Sequence, residues 1–154
     1  MLFHGTTESA VELIQQQGII PPEQSDTGAT ENRSIIETLD SVRPEEFPKR
    51  SASVFCVANI QPLHSYDTIV KIDETRIPKS LPRYIGHRGI ADEISFAIES
   101  NEWGMNTGSD PEESARKYWK HARLVDEVIP DNVRVQEEVV FGGKIPPEAV
   151  TEIV

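Results

Sequence analysis

The nine residues at 133–141, Val-Arg-Val-Gln-Glu-Glu-Val-Val-Phe, constrain the fold more than any other stretch of this chain. Side chains of a strand alternate between two faces. Read with that period, Val133, Val135, Glu137, Val139 and Phe141 share one face, and Arg134, Gln136, Glu138 and Val140 share the other. The first set is almost wholly apolar and predicts a core-facing side. The second set projects Gln136 and Glu138 together from a more polar side. A strand of this kind needs partners, so the chain cannot be all-helical.

The rest of the chain supplies them in irregular order. Residues 2–4 read as a short strand. Residues 6–9 open a helix with hydroxyls and an acidic first turn, followed by the apolar stripe Ala10, Val11, Leu13 and Ile14. Gly18 closes that helix, and Pro21-Pro22 forbids its continuation. A short helix is predicted at 34–42, strands at 53–58 and 67–72, and a helix at 91–100. Asp110, Pro111 and Glu113 form a capped helix start, predicting a helix to about 125 whose Tyr118 and Trp119 pack in the core or, as the alternative, cover a cleft. A helical turn at 146–148 and a strand at 151–154 follow. Segments 21–33, 43–50, 76–90 and 104–108 hold the turn formers and read as loops, with 76–90 wrapping the surface. Strands and helices do not alternate strictly, so the expected class is α+β, in one domain spanning 1–154.

Composition narrows the function. The formal net charge of −11 repels nucleic acid and anionic lipid at long range, though a local basic pocket for a phosphate-bearing ligand remains compatible with it. No apolar stretch approaches membrane-spanning length, and the start lacks a basic and an apolar leader segment. The single cysteine, Cys56, forms no internal disulfide and reads as a buried small hydrophobe. Together these predict a cytoplasmic protein. His4, His64, His87 and His121 show no metal-ligand spacing, so no metal is expected.

Three segments bear chemistry. Phe3-His4-Gly5-Thr6 puts an imidazole at a strand end beside a glycine, whose bare backbone lets a planar ligand amide approach; Thr6 adds a hydroxyl. Arg50-Ser51-Ala52-Ser53-Val54-Phe55 offers a guanidinium suited to a diphosphate, and two hydroxyls. Gln136 and Glu138 offer paired hydrogen-bonding groups for a ribose.

Taken in this order, the segments resemble the ADP-ribosyltransferase superfamily in its histidine-first branch, which includes poly-ADP-ribose polymerases, RNA 2′-phosphotransferases and rifamycin-modifying enzymes. The opening LFHGTTESAVELIQQQGI is similar to that branch's first strand and helix, and VQEEVVFGGKIPPEAVTEIV to its acidic strand and closing hairpin. The resemblance implies two small, mostly antiparallel sheets split around an NAD cleft. It implies an NAD-dependent mono-ADP-ribosyltransferase that releases nicotinamide. His4 would bind a ribose hydroxyl, Gly5 the carboxamide, Ser51 or Ser53 the nicotinamide pocket, and Glu138 would be catalytic with Gln136 nearby. Thr6, Arg50 and Phe55 complete the implied NAD-binding set. Glu137 is the alternative catalyst, and Phe55, Tyr66 and Tyr84 are alternatives for the aromatic that stacks on nicotinamide. The acceptor is left open, with a protein or small molecule favoured over nucleic acid. NAD hydrolysis, RNA 2′-phosphate removal and a non-catalytic acidic binding module are the alternative functions.

Overall fold

In the computed structural model, which describes residues 1–24, 33–104 and 110–154, seven strands form two antiparallel sheets. The first sheet has the order β1 (Leu2–Thr6), β3 (Thr68–Ile72), β7 (Val150–Ile153). The second has the order β2 (Val54–Cys56), β6 (Glu137–Phe141), β4 (Arg83–His87), β5 (Arg123–Val125). Among the described residues there are four α-helices: α1 (Val11–Gln17), α2 (Arg33–Ser41), α3 (Arg88–Glu102) and α4 (Pro111–His121). The class is α+β. No helix among the described residues is long and apolar enough to cross a membrane.

Two buried clusters lie on opposite faces of the second sheet. One joins it to the first sheet through Leu2, Val70, Ile72, Val54, Ile85, Val139 and Phe141. The other joins it to α2, α3 and α4 through Leu39, Ile90, Ile94, Ala115, Tyr118, Trp119, Tyr84 and Val140. Alternation along β4 and β6 sends Ile85, Val139 and Phe141 one way and Tyr84 and Val140 the other. Trp119 completes the helical layer by donating its indole N–H to the Leu39 carbonyl at 2.8 Å. The sheets meet at an isolated antiparallel bridge, Phe3 to Val57, where both backbone bonds form at 2.8 and 2.9 Å.

Four expectations change. The segment 76–90 does not merely wrap the surface: β4 runs through it as an inner strand. Pro82 lies just outside that strand, where its missing N–H costs no ladder bond, and Gly86 inside it gives room to a neighbouring side chain. The strand expected at 133–141 begins at Glu137. The chain before it bends, with the Glu137 N–H on the Arg134 carbonyl and the Arg88 N–H on the Gln136 carbonyl. The helix expected to reach 125 stops at His121, and Arg123–Val125 becomes an edge strand. The strand expected at 53–58 shortens to Val54–Cys56, with Arg50–Ala52 a 3-10 turn before it. Most of the loop expected at 21–33, and nearly all of that at 104–108, lies outside the described residues.

The helix signals hold where a local device enforces them. Gly18 ends α1 at φ +82°, and a Cβ there would lie 2.0 Å from the Ile145 carbonyl oxygen, so a side chain is excluded on both counts. Asp110 caps α4 through the Glu112 N–H, with Pro111 in the first turn.

Candidate functional site

A cavity of about 270 Å³ opens where the two sheets and α3 converge. Its lining includes His4 and Gly5 from β1, Arg50, Phe55 and Cys56 from around β2, Tyr66 from the bend before β3, Arg88 and Asp92 from the start of α3, and Glu138 from β6. Residues from the two ends of the sequence thus share one wall.

Gly5 owes its availability to strand register. Ile69, its partner on β3, gives its carbonyl to Val154 on the far side of that strand. Gly5 and Ile69 therefore form a pair without mutual hydrogen bonds, as do Phe3 and Lys71 two residues earlier. Phe3 turns its backbone groups toward Val57. Gly5, in phase with Phe3, points its N–H and C=O the same way, toward the cavity. The Tyr66 ring lies against this glycine, 2.5 Å from where a Cβ would be, so any side chain at position 5 would collide with it.

His4 places Nδ1 2.8 Å from the Phe55 carbonyl oxygen. A carbonyl only accepts, so Nδ1 carries the proton, and the neutral ring keeps a lone pair on Nε2. Burial depresses the imidazole pKa, against the opposing pull of that carbonyl, and keeps the ring neutral at pH 7.

Arg50 arrives on the 3-10 turn, whose Arg50 and Ser51 N–H groups are fixed by the Asp40 carboxylate at 2.7 and 3.2 Å. Its guanidinium stacks 4.1 Å above the centre of the Phe55 ring and forks onto Glu138. The two bonds are 2.5 Å to Oε1 and 3.3 Å to Oε2. Tyr118 donates to the same Oε1 at 2.6 Å. Both ions are deeply buried, Arg50 at 6% and Glu138 at 3% exposure. Burial alone would raise the Glu138 pKa. The charge of Arg50 and the hydrogen bonds from Arg50 and Tyr118 outweigh it and hold the carboxyl below its ordinary value. Glu138 is a fixed carboxylate that accepts but does not donate. Cys56, by contrast, is kept a thiol by its burial, reinforced by the Glu138 charge.

The doubled acid resolves by face. Glu137 turns away from the cavity, accepting from Arg123 at 2.6 Å and from the Arg134 N–H at 3.0 Å. Of the three aromatic candidates, Phe55 and Tyr66 line the cavity. Tyr84 is buried in the helix-side core.

No family model matches this chain, and no curated protein or solved structure is significantly similar to it.

Several expected site residues stand elsewhere. Gln136 is exposed in the turn before β6 and does not line the cavity, because the strand starts one residue later than its pairing with Glu138 requires. Ser53 is buried and donates to the Lys49 carbonyl, and Ser51 belongs to the turn capped by Asp40. Thr6, at the end of β1, lies outside the cavity lining. Arg50 is present, but its fork is committed to Glu138 rather than open to a diphosphate. Sequence reading missed Arg88, Asp92, Gly86 and the chemical role of Tyr118. Arg88 and Asp92 are one turn apart on α3, a spacing that places them on one helix face. Ala115, Tyr118 and Trp119 have inward spacing on α4, a signal for burial but not for which polar group a hydroxyl would meet.

Proposed function

We propose that this protein is an NAD-dependent ADP-ribosyltransferase, with the nicotinamide ribose of NAD bound between His4 and Glu138. The observation that carries the reading is the meeting of those two residues, 134 positions apart, on one cavity with Gly5, whose backbone N–H and C=O have no backbone partner among the described residues. Two small antiparallel sheets meeting beside that cavity fit the split-sheet arrangement of this superfamily. The cavity, about 270 Å³, is smaller than the ~300–1,000 Å³ typical of whole ligand sites and suits one end of a dinucleotide.

Each group then has a task. The Gly5 N–H and C=O pair with the carboxamide, and Phe55 or Tyr66 supplies an aromatic face. Nε2 of neutral His4 accepts from a ribose hydroxyl. Arg88, whose Nε is buried without a protein partner among the described residues, meets the phosphates. Cleavage of the bond between the ribose C1′ and the nicotinamide nitrogen leaves its electron pair on nicotinamide, which departs neutral. Positive charge then develops on the ribose, where the fixed Glu138 carboxylate stabilises it. The acceptor's nucleophilic atom bonds to C1′ and loses its proton to solvent. A net charge of −11 favours a protein side chain or a small molecule as acceptor over nucleic acid. Several cationic side chains outside the cavity are paired with acids, as in Arg116–Glu112, Lys117–Glu93 and Arg123–Glu137, and do not form a strip for an RNA backbone.

The direct test is incubation of the pure protein with NAD, alone and with host lysate, followed by assay of free nicotinamide. Nicotinamide together with a labelled acceptor is the expected result. Nicotinamide with free ADP-ribose only would identify a glycohydrolase. No nicotinamide under either condition would leave a non-catalytic binding module and sink the transferase reading.

A further inference from the structure

Two polar groups bond Glu138 and a third stands behind them, and one of the two comes from α4, for which the sequence offers core packing or cover of a cleft but no bond to an acid. Tyr118 on α4 donates to Oε1 at 2.6 Å and receives the Arg50 Nη1 bond at 2.9 Å. The Tyr84 hydroxyl stands 3.1 Å from it. Since the single proton of Tyr118 goes to the carboxylate, Tyr84 is the donor in that contact.

Space for this hydroxyl is provided by the backbone of β4. A Cβ at Gly86 would fall 2.1 Å from the Tyr118 oxygen. The ring itself serves the core, edge-on to Trp119 at 5.1 Å and to Tyr84 at 6.3 Å, which a phenylalanine would do equally well. The hydroxyl and the missing side chain at position 86 therefore need a separate reason.

We propose that Tyr118 is a positioning residue: its hydroxyl, admitted by Gly86, locks the Glu138 carboxylate so that Oε1 is filled and Oε2 faces the ligand. The proposal rests on the reading of the cleft as an NAD site. A carboxylate oxygen offers about two acceptor positions. Oε1 spends both, on Arg50 and Tyr118, while Oε2 spends one, on Arg50. The remaining position accepts a ribose hydroxyl. Glu138 can then neither rotate nor take up a proton easily, so its charge faces the ribose throughout the reaction. The groups around it are Arg50 on its turn, Tyr118 on α4, Tyr84 on β4, Arg88 and Asp92 on α3, with Cys56 and His4 on the cavity wall.

The test compares wild type with Tyr118→Phe, which keeps the ring and removes one oxygen. Protein labelled with carboxyl-¹³C glutamate is titrated by NMR, with Glu138 assigned through Glu138→Gln, and the kcat and KM of nicotinamide release are measured. The Glu138 midpoint is expected to move to higher pH in Tyr118→Phe. The kcat is expected to fall about 10- to 100-fold with KM within about twofold, since the loss is of orientation rather than binding. Gly86→Ala, which displaces the hydroxyl without removing it, is expected to change both in the same direction. An unmoved Glu138 titration overturns the proposal, as does an unchanged kcat in an enzyme that releases nicotinamide. Absence of nicotinamide release from wild type would strike the NAD reading instead, and the titration alone would then decide whether Tyr118 holds Glu138.

Discussion

Glu138→Gln is expected to lower the rate of nicotinamide release at least ~100-fold while changing NAD binding by no more than about threefold. The asymmetry follows from when the carboxylate matters. Bound NAD asks only for a hydrogen-bond acceptor near the ribose, and the Gln amide oxygen can serve. The transition state carries positive charge on the ribose, and there the amide has no charge to offset it. In a site as dry as this one, with Glu138 at 3% exposure, that difference is large. The substitution also leaves Arg50 buried without its counter-ion. Circular dichroism must therefore accompany the NAD titration and the nicotinamide assay, at a temperature where the variant is folded. Turnover equal to wild type in the folded variant would remove Glu138 from the chemistry.

Arg50→Met is expected to have the largest effect on stability. Methionine preserves much of the volume against Phe55 but strands the Glu138 carboxylate in the interior. Removing one partner of a buried ion pair typically costs about 3–5 kcal/mol. The pH dependence carries the sign. In wild type the Glu138 pKa is depressed, so its stabilisation is present above the unfolded carboxyl pKa and is lost as pH falls through the folded value. Without Arg50, burial is the dominant influence and raises the Glu138 pKa above the unfolded value. Stability of the variant is then retained in acid and lost as pH rises through that value. The gap between the two proteins is widest near pH 7 and narrows toward pH 5. Urea unfolding at both pH values measures it, and a loss below about 1 kcal/mol at pH 7, or one equal at both, would contradict the pairing.

The sequence was most legible where a residue acts through its own backbone or its own strand phase. Gly18, Asp110 and Pro111 marked helix boundaries because caps and turns are local. The separation of Glu137 from Glu138 follows from strand alternation, which puts one on Arg123 and the other on Arg50. The α+β class came from element order alone. What stayed hidden depends on partners far away in the chain. Segment 76–90 reads as a loop because Pro82 and Gly86 are breakers in isolation. Pro82 sits just before the strand, and Gly86 is small because Tyr118, 32 residues later, needs the gap. Strand alternation makes Gln136 a companion to Glu138 because the pattern continues past the point where the backbone turns away. Arg50 reads as open to a diphosphate because no local signal tells that its counter-ion is 88 residues downstream.

On the proposed function, one cleft between His4 and Glu138 takes the nicotinamide ribose of NAD. The most direct measurement is a crystal structure of Glu138→Gln soaked with NAD. The nicotinamide amide is expected to pair with the Gly5 backbone, with the ribose between residues 4 and 138 and the phosphates toward Arg88. Dinucleotide density elsewhere on the protein, with this cleft empty at saturating NAD, would contradict it.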